Sequence, residues 1–553
     1  FRVVQQLQQG DAGFPQALHL FVGLLTGTGG GVLRDEDREA LERQQIFLAP
    51  HGMEQFHLEI QNLYAALAQP TEKLTVSYPV SDGKGAEKRP SFVIGRIARL
   101  LPSISVETES TDKEYRLSAK STALEYAGEH IGGALWQYFE GQGDAERALA
   151  AMKDASRYTR GHLSRDAVRA LYGGAVTLSA SRMDMARSCH FAYFMRSGLK
   201  ARERTGAGFD APQIGTFVHD VMEHTLRQAK ECGGLHTLSK DKLHALVRAS
   251  IEEYIDRVLP DLCEKSARFR YLFNRLCAAV ERIMDEVSEE LQSSDFEPLA
   301  FELEFGADGQ LPAITIREEN GTARVVGKVD RVDGWLHDGK LYLRVVDYKT
   351  GKKSFDLAEL RYGLGLQMLL YLFTLKEEGQ MLFGGHEIVP AGVLYTPARE
   401  PMLRCARDTE PEKIEKALKK ELRRSGMVLE DPAVLQAMEH SALESPCYLP
   451  IAVKRDGAVM GSLASAEQLG KLSKYVDHIL HEITQEVFAG NIDADPYART
   501  PQQSACTYCE FASACHFENG CGSDRMEYIK ATKNDEFWQY IDEVNGEGAH
   551  ENG

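Results

Sequence analysis

No run of apolar residues approaches the ~18 needed for an ordinary membrane-spanning helix, which excludes a transmembrane protein of that kind. Cysteine is scarce, ten in 553 residues, too few for a disulfide scaffold and in keeping with a reducing, cytoplasmic setting. The opening FRVVQQLQQGDAGF has neither a basic n-region nor an apolar h-region. No signal peptide is therefore expected, and the chain is expected to begin inside a longer protein. There is no G-x4-G-K-[ST] phosphate loop, no internal repeat and no long low-complexity tract. Positive charge is short: 64 Lys and Arg against 82 Asp and Glu leave a formal charge of −18. That balance argues against a protein that coats nucleic acid indiscriminately. It leaves room for a nuclease, because phosphate binding needs only a local basic channel and acidic metal ligands. What is present is a globular composition, 43% hydrophobic and 26% charged, on a chain long enough for several domains.

Periodicity divides the chain. Residues 1–110 read as mixed α/β, with helices over about Arg34–Gln45 and Met53–Leu67, a strand at Leu74–Tyr78 and a polar loop over Ser81–Pro90. Residues 111–174 are Ala-rich and read as a helical connector. Helical spacing continues from Arg182 to about Leu291, switches to period two from Ala300 to Thr350, and returns at Leu357–Leu375. A strand is expected at Ile388–Tyr395 and helices over much of 409–490. The tail, 523–553, carries eight acids and three bases and is expected to fray.

The segment Val325–Gly351, VVGKVDRVDGWLHDGKLYLRVVDYKTG, can be read in detail. Asp338-Gly339 is a favoured two-residue hairpin turn. With those residues as the turn, Trp335 faces Tyr342 and Asp333 faces Arg344, an aromatic pair and an opposite-charge pair that both support the register. The same register sets Asp330 opposite Asp347, with β-carbons about 4.5–5.5 Å apart. Two facing carboxylates destabilise a hairpin unless a cation lies between them, or unless they simply face solvent at a bulge-shifted register. Lys349, two residues past Asp347, shares its face. Two carboxylates and an ammonium together suit metal-assisted phosphodiester hydrolysis: hard oxygens hold Mg²⁺, and the metal activates water and offsets charge on phosphorus.

G-K-V-D-R-V-D followed by V-V-D-Y-K-T-G resembles the RecB-type branch of the PD-(D/E)XK nucleases. G-T-F-V-H at Gly215–His219 is similar to that family's upstream helix, which supplies a metal-binding His. Y-G-L-G-L-Q-M-L-L-Y-L at Tyr362–Leu372 resembles the following helix, with Gln367 and Tyr371 four apart on one face. F-E-L-E-F-G at Phe301–Gly306 resembles the strand before the hairpin, where Glu302 is a further candidate. The resemblance implies catalytic Asp330, Asp347, Lys349, Gln367 and Tyr371, with Mg²⁺ on His219, Asp330 and Asp347. Glu223 and His224 are read as helix surface and Asp333 as structural.

Cys506, Cys509 and Cys515 form C-x2-C-x5-C, three thiolates where a tetrahedral site wants four. Cys521 is the local fourth candidate and Cys189, in LSASRMDMARSCHFAYF, the distant one. Spacing alone does not separate zinc from iron–sulfur. A Cys before the nuclease core plus C-x2-C-x5-C after it resembles the iron–sulfur nucleases, among them the AddB subunits of bacterial AddAB helicase–nucleases. That resemblance implies a [4Fe–4S] cluster on Cys189, Cys506, Cys509 and Cys515, acting as a four-cysteine staple.

The N-terminal part is similar to the last helicase-like domain of the same subunits. The stretch Y-A-A-L-A-Q-P (Tyr64–Pro70) lacks the Arg that active motors supply at the matching place, and T-G-T-G-G-G (Thr26–Gly31) lacks the Lys of a phosphate loop. ATPase activity is therefore not expected. The expected architecture is α/β: a helicase-like α/β remnant (1–110), a connector (111–174), a nuclease domain with a central mixed sheet flanked by helices (175–522) and an acidic tail (523–553). The resemblance implies a DNA exonuclease subunit that takes a single strand from a duplex end, beside an AddA-type helicase–nuclease partner, in double-strand-break processing. The rival readings are a free-standing RecB-type exonuclease and a catalytically silent DNA-binding scaffold. Basic clusters at Arg196–Arg204 and Lys413–Arg424 are read first as solvated helix faces and second as a DNA path.

Overall fold

The computed structural model describes residues 18–21, 35–47, 52–71, 74–78, 89–104 and 116–551, apart from 158, 203–210, 307–308, 402, 404, 406–408 and 501–502. The run Thr26–Gly31 and most of the Ser81–Pro90 stretch lie outside them. The chain divides into two compact units, Phe1–Leu149 and Ala150–Gly553, so the division falls within the Ala-rich segment.

In the first unit Leu18–Phe21 pairs in parallel with Leu74–Ser77. Parallel strands need a crossover, and the helix Gly52–Ala68 lies in the connecting segment. Its Leu63 packs with Val93 of the helix Phe92–Leu100, flanked by Val76 and Ile97.

The second unit is built around α1 (Ala180–Ser188), α2 (Ala211–Glu231), α3 (Ala267–Gln292), β1 (Glu297–Phe305), β2 (Gly327–His337), β3 (Lys340–Lys349), α4 (Gln367–Glu378), β4 (Glu387–Pro397), β5 (Ser425–Leu429), β6 (Leu463–Ala464), α5 (Ala466–Ala489) and α6 (Asn534–Glu551). The six strands form one mixed sheet in the order β1-β2-β3-β4-β5-β6. Strands β3 and β4 are parallel, and α4 makes their crossover. A three-stranded sheet of Ala175–Leu178, Gly321–Val325 and Ile314–Glu318 stands apart from it.

The helices follow from their spacing and caps. Ser266 caps α3 by accepting from Phe269 N at 3.2 Å, and Val280, Ile283, Met284, Val287 and Leu291 recur every three or four residues on its buried face. Helix α5 opens with a capping box of Ser465 and Gln468 and ends at left-handed Gly490. Two sequence expectations fail. The stretch Leu357–Leu375 is two helices, Leu357–Arg361 and α4, separated by a turn with Gly363 and Gly365 at positive φ. The tail does not fray: it folds as α6, and fully buried Phe537 and Ile541 join the main core. Aromatic and aliphatic residues four apart outweigh the acidic composition there.

The hairpin β2–β3 has the expected register, with Asp333 opposite Arg344 and Trp335 opposite Tyr342. Asp338 (φ 49°) and Gly339 (φ 78°) both take the left-handed conformation that a type I′ turn requires. On its buried face Arg331 Nε and Nη2 donate to both oxygens of Asp333 at 2.7 and 2.9 Å, and Arg344 Nε donates to Asp333 Oδ2 at 2.9 Å. Glu290 of α3 accepts from Arg424 Nη2 at 2.6 Å and lies 3.5 Å from Arg344. Three guanidiniums thus face two carboxylates, and each guanidinium also lies over an aromatic ring: Tyr348, Phe296 and Tyr448. Arg424, expected on a solvated or DNA-facing run, is instead 3% exposed and structural.

This network makes a testable contribution to stability. Burial pushes the Glu290 carboxyl up, but Arg424, Arg344 and Arg331 outweigh it and hold its pKa down at about 2. A depressed carboxyl pKa stabilises the fold above the unfolded value of about 4.5, and that contribution is lost as pH falls toward 2. Glu290→Gln should cost about 3–5 kcal/mol near neutral pH, as expected for breaking a buried ion pair. In denaturant melts, the gap between wild type and variant should close as pH drops through that window. A gap that stays constant with pH would mean Glu290 is not held ionised by this cluster.

Candidate active site

The catalytic candidates meet where β2 and β3 leave the hairpin ladder. The regular pairing ends at Arg331 opposite Val346; beyond it Tyr348 N donates to Asp330 Oδ2 at 2.8 Å. The side chain of Asp330 therefore takes over an amide next to the point where the ladder ends. Asp347 is only 4% exposed. Burial, and then the Asp330 charge, push its carboxyl up to about 6. Its Oδ2 has no hydrogen bond among the described residues and lies 2.6 Å from Lys349 Nζ. An almost buried, like-charged carboxylate with one unsatisfied oxygen is a place where a cation is strongly favoured.

His219 of α2 completes the group. Its Nε2 donates to the Tyr348 carbonyl at 2.9 Å, and its Nδ1 lies 3.3 Å from Asp330 Oδ2. With Nε2–H committed, a neutral ring would turn its Nδ1 lone pair toward a carboxylate, which needs a proton or a metal ion between them. Burial alone would lower the His219 pKa, but Asp330, Asp347 and the Tyr348 carbonyl outweigh it and hold it above the usual value. His219, Glu302 and Asp330 offer ligand atoms within 4.8 Å of one another. Glu302, in β1, has φ 49° in mid-strand, a strained conformation for a non-glycine residue, and pairs with Lys328 Nζ at 2.6 Å. The donor set of His219, Asp330 and Asp347, with Glu302 beside it, fits a hard divalent cation such as Mg²⁺.

Gln367 and Tyr371 of α4 stand behind the start of β2. Gln367 Nε2 donates to the Tyr371 hydroxyl, which accepts from Lys328 N, both at 3.3 Å. A Cβ at Gly327 would overlap the Tyr371 hydroxyl, so the glycine of G-K-V-D allows α4 to press directly on the strand carrying Asp330. Glu223 and His224 stay on the helix, bonded to Arg227 and to the Asp220 carbonyl.

The second group lies at a cavity of about 540 Å³ lined by Cys189, Cys506, Cys509 and Cys515. All four are free thiols. Burial pushes the Cys189 thiol up to about 12 and raises those of Cys506 and Cys515. Cys521 is exposed and does not line the cavity. Arg160 secures the loop: Nε and Nη2 donate to Asp524 at 2.8 and 2.9 Å, Nη2 also donates to the Cys515 carbonyl at 2.8 Å, and the guanidinium covers Phe191. Four convergent free thiols fit a four-thiolate centre.

The sequence profile of the PD-(D/E)XK nuclease superfamily matches residues 177–516, more than half of the chain. The chain belongs to the PD-(D/E)XK nuclease superfamily. The matched segment holds every superfamily site candidate, His219 through Tyr371, and all four converging cysteines. Among curated proteins, the chain is similar to the B subunit of the ATP-dependent helicase/deoxyribonuclease of Ruminiclostridium cellulolyticum, 30% identical over 542 residues, covering 94% of this chain and 47% of the relative. The corresponding protein of Acetivibrio thermocellus is 31% identical over 536 residues, covering 92% and 46%. That of Thermoanaerobacter sp. (strain X514) is 28% identical over 543 residues, covering 94% and 47%. The chain thus spans about half the length of the curated relatives it matches. Among the described residues, no helix is long and apolar enough to cross a membrane.

Sequence reasoning missed three parts of this site. It did not foresee Tyr348, whose peptide joins Asp330 to His219 while its hydroxyl accepts from Arg331 Nη1 at 2.6 Å. The signal was available, since Arg331, Asp333 and Tyr348 share the hairpin's buried face by period two. Asp184 and Arg160 carried no local pattern that could have revealed them.

Proposed function

We propose that the chain is the nuclease-bearing part of an ATP-dependent helicase–nuclease subunit, a Mg²⁺-dependent deoxyribonuclease that cuts a single strand delivered from a duplex end during double-strand-break repair. The observation that carries this reading is the convergence of Asp330, Asp347, Lys349 and His219 at the end of one hairpin inside a PD-(D/E)XK nuclease domain. A Mg²⁺ ion held by His219, Asp330 and Asp347 would supply a water of lowered pKa and offset charge on phosphorus. Lys349, fixed against Asp347 and over the Tyr395 ring at 5.7 Å, steadies the charge that builds on the phosphate. Tyr348 holds Asp330 and His219 through its two backbone groups, and Tyr371 holds the strand behind them.

The four thiols support a [4Fe–4S] centre as a structural staple, because a cavity of that size has room for more than a single metal ion. The names of the relatives support a partner motor of the AddA type and a cytoplasmic setting. The free-standing exonuclease remains the second reading, favoured by the completeness of the nuclease site within this chain.

The discriminating experiment uses the purified chain, prepared without oxygen, on long duplex DNA. Resection should require an added ATP-driven motor subunit, and the chain alone should show no DNA-stimulated ATPase, since it has neither a phosphate loop nor an Arg in the Tyr64–Pro70 segment. Processive duplex degradation by the chain alone would favour the free-standing enzyme, and ATPase activity free of any motor would refute the proposal.

A further inference from the structure

Two centres described above, the thiol cavity and the carboxylate site, are joined by one short turn. Helix α1 ends against Cys189. One turn earlier, Asp184 Oδ1 accepts from Gly365 N at 2.9 Å. Arg187 Nε donates to the Tyr362 carbonyl at 3.3 Å, and its other nitrogens reach Glu486 and Glu482 of α5. Both anchors grip residues 362–365, the turn that launches α4. Gly363 and Gly365 take φ of 73° and 68°, and a Cβ at Gly363 would come within 2.9 Å of Arg187 Nε. Asp184, Gly365, Lys353 and Glu359 line the same cavity as the four cysteines. Two residues past Gly365, Gln367 begins α4 and reaches the Tyr371 hydroxyl, which holds Lys328 N on the strand of Asp330.

We propose that Asp184, with Arg187, is a positioning residue that couples the four-thiol centre to the nuclease site. A filled thiol centre fixes Cys189 and hence α1. Asp184 and Arg187 then set the Tyr362–Gly365 turn, and through it the seating of Gln367 and Tyr371 behind Asp330. Helix α4 has no side-chain N-cap, so its first turn depends on these outside contacts for its exact seating. Residues packed in one continuous hydrogen-bonded chain between two sites are the physical means by which one site biases another, and a displacement near 1 Å behind a catalytic group is enough to cost about 10²-fold in rate. The coupling rests on the functional reading given above.

The test compares Asp184→Ala with Asp184→Asn in the whole chain, purified without oxygen. As purified, both should match wild type in iron, sulfide and visible absorbance, because Asp184 is not a thiol ligand. Asp184→Ala should lower kcat on a single-stranded oligonucleotide about ten-fold or more with KM little changed. Amides of residues 362–371 should exchange faster in it. Coupling is reciprocal, so a chelator under argon should also strip its iron several-fold faster. Asp184→Asn keeps an acceptor for Gly365 N and should restore all three. Should Asp184→Ala fail to fold, Arg187→Ala carries the same comparison on Tyr362. Unchanged kcat and iron release in a folded, iron-replete Asp184→Ala protein would overturn the coupling and leave the nuclease assignment standing, as would an Asp184→Asn protein as impaired as the alanine variant. A wild-type chain that holds no iron, or cuts no DNA, would overturn the reading beneath it.

Discussion

Asp347→Ala and Lys349→Ala should each abolish Mg²⁺-dependent cleavage of single-stranded DNA while leaving the far-ultraviolet spectrum and the thiol centre unchanged. Asp347 is nearly buried, with one oxygen meeting only Lys349, so its removal takes away a metal ligand without opening a large cavity. Loss of one preorganised charge aimed at the transition state costs about 10²–10³ in kcat, and loss of a metal ligand costs at least as much. The stability effects should have the opposite sign. In EDTA the Asp347→Ala protein should melt above wild type, because Asp330 no longer faces a second uncompensated carboxylate. Mg²⁺ should raise the wild-type midpoint by mass action and leave the variant's unchanged. Full cleavage by Asp347→Ala would remove these residues from the reaction.

Cys189→Ala should release the proposed cluster and loosen the nuclease core, whereas Cys521→Ala should do neither. Cys189 is 8% exposed and lines the cavity with Cys506, Cys509 and Cys515; Cys521 is exposed and lies outside it. A centre joining Cys189 to Cys506 closes a loop of about 317 residues around the nuclease core. Chain-entropy arithmetic for a cross-link of that length gives roughly 5–6 kcal/mol as an upper guide, comparable with the whole stability of many domains. Iron content, visible absorbance and protease resistance should therefore fall together in Cys189→Ala. The reverse pattern, or tightly bound zinc in an anaerobic preparation, would assign the site differently.

The hairpin was legible because its information is local. A two-residue turn, strict alternation and two compatible cross-strand pairs fix the register of β2 and β3, and that register brings Asp330 and Asp347 to the same end of the hairpin. Gln367 and Tyr371 were legible for a similar reason, since four residues in a helix set them on one face, and Gln367 does bond to the Tyr371 hydroxyl. What escaped was non-local. Arg424 sits in a run of charged residues that reads as a wetted helix face, yet its partner Glu290 lies 134 residues away, and no period records such a pairing. Asp184 reaches Gly365 across 181 residues. The tail was misjudged because eight acids dominated its composition, while the few side chains that matter, Phe537 and Ile541, occupy one helical face. The break between Leu357–Arg361 and α4 was hidden by continuous hydrophobicity, although the two glycines in Y-G-L-G-L marked it.

The central claim is that Asp330, Asp347, Lys349 and His219 form a metal-dependent nuclease site. Its most direct measurement is the hydrolysis of an end-labelled single-stranded oligonucleotide by the purified chain, prepared without oxygen, with no ATP and no motor subunit. The predicted result is cleavage with Mg²⁺ that stops completely on adding EDTA and resumes when Mg²⁺ is restored. A folded, iron-replete chain that leaves the strand intact in Mg²⁺, or one that cuts it equally well in EDTA, would contradict the account.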